Sequence, residues 1–202
     1  MRTLRDKQQF DDKHKVAEGA GVPPACWSYF GVVWDSSQVL AHLMLHMDIE
    51  GKKILELGCG IGLPSLILKM RQADITATDI HPSARSFLEE NTRLNNGSSI
   101  PFVRTSWLDI DSDLGEFDVV IGSDLLYEPE HVEQLSSFIN RHSRADSVVV
   151  IVDPGRFFHS RFSREMEKLG YSAQKSRPAG TEYLKKPFGG MILTYKRCSS
   201  TW

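Results

Sequence analysis

"ILELGCGIG", from Ile54 to Gly62, decides how the rest of the chain is read. Apolar residues crowd its first half, one carboxylate (Glu56) interrupts them, and glycine recurs at 58, 60 and 62. The apolar half reads as a buried strand, and "LPSLILKM" behind it as a helix. Glycine at alternate positions suits a tight backbone that approaches something closely. A strand, a glycine turn and a helix together make the opening unit of many ligand-binding α/β sheets, although the turn alone could be merely structural.

Working outward, strand-like and helix-like segments alternate. Upstream, Val39, Leu40, Leu43 and Met47 fall at helical spacing, with Ser36 or Ser37 available as N-cap. Downstream come the strand "ADITATD" and a helix in "HPSARSFLEENTRLNN" ending at Gly97, with Ala84, Phe87, Leu88, Asn91 and Leu94 on its inner face. A short strand around "IPFV", the strand "FDVVIGS", a helix from Pro129 to about Asn140 and the strand "SVVVIVD" follow. After a helix marked by Phe158, Phe162, Met166 and Leu169, the chain closes with two strand-like segments, "YSAQKSR" and "MILTYKR". The fold class is therefore α/β: a Rossmann-like, doubly wound, seven-stranded sheet, mostly parallel with an antiparallel last strand. Residues 1–25 are polar and aperiodic and read as a loosely ordered leader; residues 26–202 read as one domain.

Composition excludes several classes. With 41% hydrophobic and 25% charged residues among 202, the chain is an ordinary globular sequence, and a net charge of −2 exerts no general pull on nucleic acid or anionic membrane. No signal-like or membrane-spanning run is present. Cys26, Cys59 and Cys198 are isolated thiols without metal-knuckle spacing, which suits a reducing, cytoplasmic location. His42 and His46 have no third ligand beside them, so no metal is expected, and Ser65 in "GLPSL" lacks a nucleophile-elbow pattern. The acids from Asp109 to Glu130 read either as solvated loops or as a rim that attracts a basic partner.

Asp79 ends the second strand about twenty positions after the glycine turn, where a carboxylate can accept hydrogen bonds from ribose hydroxyls. The glycine pattern is G-x-G-x-G rather than G-x-G-x-x-G, and Glu56 precedes it. A carboxylate there would repel a pyrophosphate and suit a cationic ligand. "ELGCGIG" with Asp79 resembles the cofactor loop of seven-strand S-adenosylmethionine-dependent methyltransferases. More narrowly, "GVVWDSSQVLAHLM", "RTSWLD" and the D-x-x-Y of "GSDLLYEPE" are similar to methyltransferase family sixteen, whose characterised members mostly methylate protein lysines. The chain departs from the family at Asp35, where relatives commonly have proline.

The resemblance implies S-adenosyl-L-methionine as cofactor, bound by Trp34, Glu56, Gly58, Cys59, Gly60, Gly62, Asp79, Trp107 and Ser123. It also implies that Asp124 and Tyr127 orient the nucleophile; their alternative role is to cap and underlie the helix that starts near Pro129. The expected function is methyl transfer to a lysine of a folded protein or complex, by a monomer, with neither nucleic acid nor membrane as partner. Arginine and small-molecule acceptors remain alternatives, as do a nicotinamide-dependent oxidoreductase and a binding module without catalysis.

Overall fold

The alternation of apolar strands with amphipathic helices predicts crossover units, and the computed structural model, which describes residues 1–6, 9–111 and 113–197, contains them. Among the described residues the elements run α1 (Val16–Gly19), α2 (Asp35–His46), β1 (Lys53–Leu57), α3 (Leu63–Met70), β2 (Asp74–Asp79), α4 (Ala84–Leu94) and β3 (Phe102–Arg104). They continue with β4 (Phe117–Ser123), α5 (His131–His142), β5 (Ser143–Asp153), α6 (His159–Lys168), β6 (Tyr171–Ser176) and β7 (Met191–Arg197). The sheet order is β3-β2-β1-β4-β5-β7-β6. Strands β3 to β5 are parallel in the ladder, and β7 runs antiparallel between β5 and β6. The expected fold class is therefore present, antiparallel ending included.

Two apolar layers sandwich the sheet. On one face Ile54, Ile75, Val119 and Val150 pack under α2 and α3; on the other Leu55, Leu57, Val120 and Ile151 pack under α5 and α6. Burial on both faces is what a central parallel sheet requires. The strand order reverses between β1 and β4, so their carboxyl ends splay apart and leave a crevice.

Several local expectations change. The start of α2 is Asp35, with Trp34 in the cap position; Ser36 is buried inside the helix and Ser37 Oγ donates to the Trp34 carbonyl at 2.7 Å. Proline and aspartate both suit a first helical turn, one by its fixed φ and one by its charge, so the substitution at Asp35 leaves the helix start intact. In α4, Ala84, Phe87, Leu88 and Asn91 face inward as expected, whereas Leu94 is 48% exposed. The left-handed residue that ends this helix is Asn96 (φ 52°) rather than Gly97.

The described residues among 1–25 make contacts with the domain. Leu4 N–H donates to the Gly31 carbonyl at 2.7 Å, and Asn91 Nδ2 donates to both the Arg2 and Ile61 carbonyls at 3.1 Å. Phe10 meets Phe30 and His81 edge-on, at 5.3 and 5.0 Å between ring centres. Asp12 caps α1 by accepting from Val16 and Glu18 N–H at 2.9 and 2.8 Å, and Ala17 and Val22 are buried. The polar composition concealed these anchors because they lack any period. No helix among the described residues is long and apolar enough to cross a membrane.

Phe10 is half-buried, so Phe10→Ala should cost less than the ~3–5 kcal/mol of a fully buried phenylalanine. Hydrogen exchange should nevertheless accelerate across residues 9–22 while the central strands stay protected; unchanged exchange in 9–22 would show that Phe10 does not hold the segment.

Candidate active site

The crevice at the carboxyl ends of β1 and β4 has a volume of about 600 Å³. Most of the expected residues line it. Gly58, Cys59 and Gly60 come from the turn after β1, Asp79 from the end of β2, Trp107 from the segment after β3, and Ser123, Asp124 and Tyr127 from the end of β4 onward. Trp34 approaches from the start of α2, its indole N–H given to the Tyr29 carbonyl at 2.9 Å.

The glycine turn is tied to β2. Gly60 N–H donates to Asp79 Oδ2 at 2.8 Å, while Asp79 Oδ1 accepts from His81 N–H at 2.7 Å. Burial pushes the Asp79 carboxyl up, and these backbone donors oppose the shift. Gly60 has φ 54°, and a Cβ on it would lie 2.7 Å from the Phe30 carbonyl oxygen. The chain's own backbone thus demands glycine there, where the sequence suggested that a ligand would. Gly62, expected at the ligand, instead packs against Leu88 of α4 and does not line the crevice.

Glu56 is a second correction. It is 2% exposed and lies behind the turn, where its carboxyl accepts from Ser65 N–H at 3.0 Å and from Ser65 Oγ. Burial pushes its carboxyl up to about 8, against the opposing Ser65 hydrogen bonds. It therefore fixes the start of α3 rather than facing a cationic ligand. Ser65, excluded above as a nucleophile, is its partner.

At the other end, Asp124 adopts a left-handed backbone (φ 57°) that few non-glycine residues take. Its N–H donates to the Val152 carbonyl at 2.9 Å. It does not cap α5, whose cap position is Glu130 without a side-chain bond. Its carboxylate instead pairs with Arg156, from the turn after β5. Tyr127 packs against His131 and Tyr29, with ring centres 4.4 and 6.0 Å away, and burial pushes its hydroxyl up, so it stays protonated. His131 gives Nδ1–H to the Leu125 carbonyl at 2.9 Å, and burial lowers its basicity.

The acidic run is divided between opposite edges of the sheet. Asp118, at the start of β4, accepts from Lys53 N–H and pairs with Arg144, far from the crevice. Of the run, only Asp109 and Asp124 line the crevice, and Asp109 is held by Thr105 Oγ1 and Ser106 N–H at 3.0 and 2.7 Å. Glu128 and Glu130 lie near His131 without lining the crevice.

Residues that the sequence did not mark also line the crevice: Ala20 to Pro23, Tyr29, Ile80, His81, His131 and Arg156. No motif advertises them, since they come from separate turns. The His81 ring stacks on Phe30 at 3.9 Å; Nδ1 accepts from Ser83 N–H at 3.1 Å, and Nε2 is buried with no partner among the described residues. His42 stacks on Tyr183, and no group of three metal-binding side chains occurs among the described residues. Cys26 and Cys59 are buried thiols; Cys198 lies outside the described residues.

A seven-stranded sheet in this order, with its crevice above β1 and β4, defines the methyltransferase type of α/β fold. The fold aligns with the ribosomal protein L11 methylase of Lactobacillus delbrueckii subsp. bulgaricus at a TM-score of 0.63 and 23% identity, covering 81% of this chain and 78% of that one. Residues 26–168 match a family profile described as lysine methyltransferase, and the chain belongs to that family. It is 31% identical over 137 residues to the protein N-lysine methyltransferase METTL21A of Danio rerio, covering 62% of each chain. It is 26% identical over 149 residues to the electron transfer flavoprotein beta subunit lysine methyltransferase of the same species, covering 71% of this chain and 57% of that protein. The chain thus spans little more than half the length of the curated relatives it matches.

Glu56→Gln gives a sharp test of the buried carboxyl. A carboxyl with pKa about 8 when folded and about 4.5 when unfolded contributes stability that is full below 4.5 and is lost as pH rises through 8. Glutamine keeps an acceptor for Ser65 without that titration. Urea midpoints should therefore shift in favour of the variant between pH 5 and pH 8; a constant difference would show that Glu56 is ionised in the fold.

Proposed function

We propose that this chain is an S-adenosyl-L-methionine-dependent methyltransferase that methylates a lysine side chain of a folded protein. The observation that carries the reading is the crevice itself, which joins a glycine turn and Asp79 at one end to Asp124 and Tyr127 at the other. Membership of the lysine methyltransferase family supports the same chemistry.

The residues present fit the cofactor. A crevice of about 600 Å³ with apolar walls and a few polar groups suits a molecule of nucleoside size. Asp79 accepts backbone N–H groups from Gly60, His81 and Ile80, and a carboxylate, with about four lone-pair sites on its two oxygens, keeps room for a ribose hydroxyl. Ile80 and Trp107 would enclose the adenine, with Ser123 as a small polar wall. Backbone at Gly58, Cys59 and Gly60, beside Trp34, would hold the amino-acid end. Glu56 and Gly62 act from behind, by fixing the turn. When bound, the cofactor supplies a methyl group made electrophilic by its sulfonium.

The protein's own work is positioning and exclusion of water, which together can account for much of a barrier reduction. A lysine has an ordinary pKa near 10.4 and must lose a proton to solvent before it reacts. The left-handed turn at Asp124 presents the carboxylate, and the Tyr127 hydroxyl remains a donor and acceptor, so both can orient an amine. The cytoplasmic location and the absence of a nucleic-acid partner belong to the same reading and rest on isolated thiols and a net charge of −2; the monomeric state is proposed with them.

Labelled methyl donor incubated with a lysate and the purified protein should mark lysines of a discrete protein band, identified by mass spectrometry. Label found only on metabolites or carboxylates would overturn the lysine assignment. Calorimetry should record binding of the methyl donor and not of NAD. Asp79→Asn should weaken that binding by about 1.5–3 kcal/mol, the range for a hydrogen bond to a charged group. An affinity equal to that of the wild type would remove Asp79 from the ribose site.

A further inference from the structure

Arg156 lines the crevice from the turn after β5, and that turn is built to present it. Asp153, fully buried at the end of β5, accepts from Gly155 and Arg156 N–H through Oδ1 at 2.8 and 2.7 Å. Arg156 Nε donates to Asp124 Oδ1 at 2.5 Å, and its guanidinium carbon lies 5.7 Å from the centre of the Tyr127 ring. The Asp124 side chain is only 9% exposed, whereas that of Arg156 is 34% exposed. The pair is monodentate: among the described residues nothing bonds to Asp124 Oδ2, in a carboxylate that lines the crevice.

We propose that Arg156 is a positioning residue that neutralises Asp124, so that Oδ2 can hold an acceptor lysine by a hydrogen bond without trapping it as an ammonium ion. The inference rests on the lysine reading above. An unpaired carboxylate within about 4–6 Å favours the charged form of an amine and raises its pKa by ~1–3 units. For a lysine that starts near 10.4, each added unit removes another tenfold of free amine at neutral pH. A guanidinium, which does not deprotonate, cancels that field while leaving the acceptor lone pairs in place.

Other titratable groups face the pair, and among them Asp153 acts on both Arg156 and Asp124, while Glu128 and Glu130 act on His131. Tyr127 and His131 face it from the β4–α5 side and are held neutral by burial, which raises one and lowers the other. Asp153 holds the turn that carries Arg156, its carboxyl pushed up by burial against the opposing Gly155 and Arg156 N–H bonds, and His159 faces it. Tyr29 faces Arg156 from the turn before α2, and Cys26, Asp79 and Glu128 surround Tyr127. Arg156 is the cation bonded to Asp124 at the acceptor end, and it faces Asp153 as well.

The test compares wild type, Arg156→Gln and Arg156→Lys on the lysine substrate found by labelling, by single-turnover rates from pH 6.5 to 10. Arg156→Gln should lose tenfold or more at pH 7.5 and recover most of it by pH 10, with the alkaline rise displaced upward by about one unit. Arg156→Lys, which retains the cation, should follow the wild-type profile. Cofactor affinity by calorimetry should stay within twofold for both. Should Arg156→Gln fail to fold, Arg156→Met takes its place. A profile lowered equally at every pH would assign Arg156 a merely structural role and overturn the proposal, as would an Arg156→Gln enzyme faster than wild type at pH 7.5. Wild-type protein that methylates no lysine would overturn the functional reading and this inference together. Lysine methylation with parallel profiles would overturn this inference alone.

Discussion

The hydrogen bond from Gly60 N–H to Asp79 Oδ2 joins the tips of β1 and β2, and the crevice takes its shape from it. Glycine is required at position 60 because Phe30 presses its carbonyl against the turn, and a positive φ lets the N–H point at the acid. Asn91 holds the next residue, Ile61, by its carbonyl, and Glu56 anchors the helix that follows. Fixed from three sides, the turn can present a rigid backbone. A preformed site loses less freedom when a ligand binds than a mobile one does.

The same device recurs along the sheet. Glu56, Asp79 and Asp153 are buried acids in strands β1, β2 and β5; Asp79 and Asp153 accept backbone N–H groups from turns at the carboxyl edge, and Glu56 accepts the Ser65 N–H from the first turn of α3. Burying a carboxyl is costly unless it is hydrogen-bonded, and irregular turns carry N–H groups that the ladder cannot satisfy. Each acid solves both problems at once. At the opposite edge the partly exposed Asp118 accepts from Lys53 N–H at the start of β1. Polar residues inside these strands are thus part of the loop architecture.

Sequence was most informative where a period or a spacing carried the signal. The alternation of segments disclosed the sheet class, and Asp79 stood at the right distance from the glycine turn. The orientation of Glu56 was also implicit in the pleat. Leu55 and Leu57 pack on one face, so the residue between them points with Ile54 towards α3, not off the end of the strand. The acidic run misled because neighbours in sequence sit at both ends of β4, separated by roughly 3.3 Å per residue of strand. Arg156 was invisible, since 32 residues and a whole crossover separate it from Asp124. The anchors of the first 25 residues were missed because Phe10, Ala17 and Val22 follow no repeat.

One wall of the crevice is made by Ala20, Gly21, Val22 and Pro23, which precede the stretch that matches the family, residues 26–168. The glycine turn and Asp79 lie inside that stretch. The upstream wall lies outside that stretch. A small molecule confined to the glycine turn would therefore touch only the part of the chain that the family profile describes, whereas one that extends to the Val22–Pro23 edge would also touch a part that the profile leaves out.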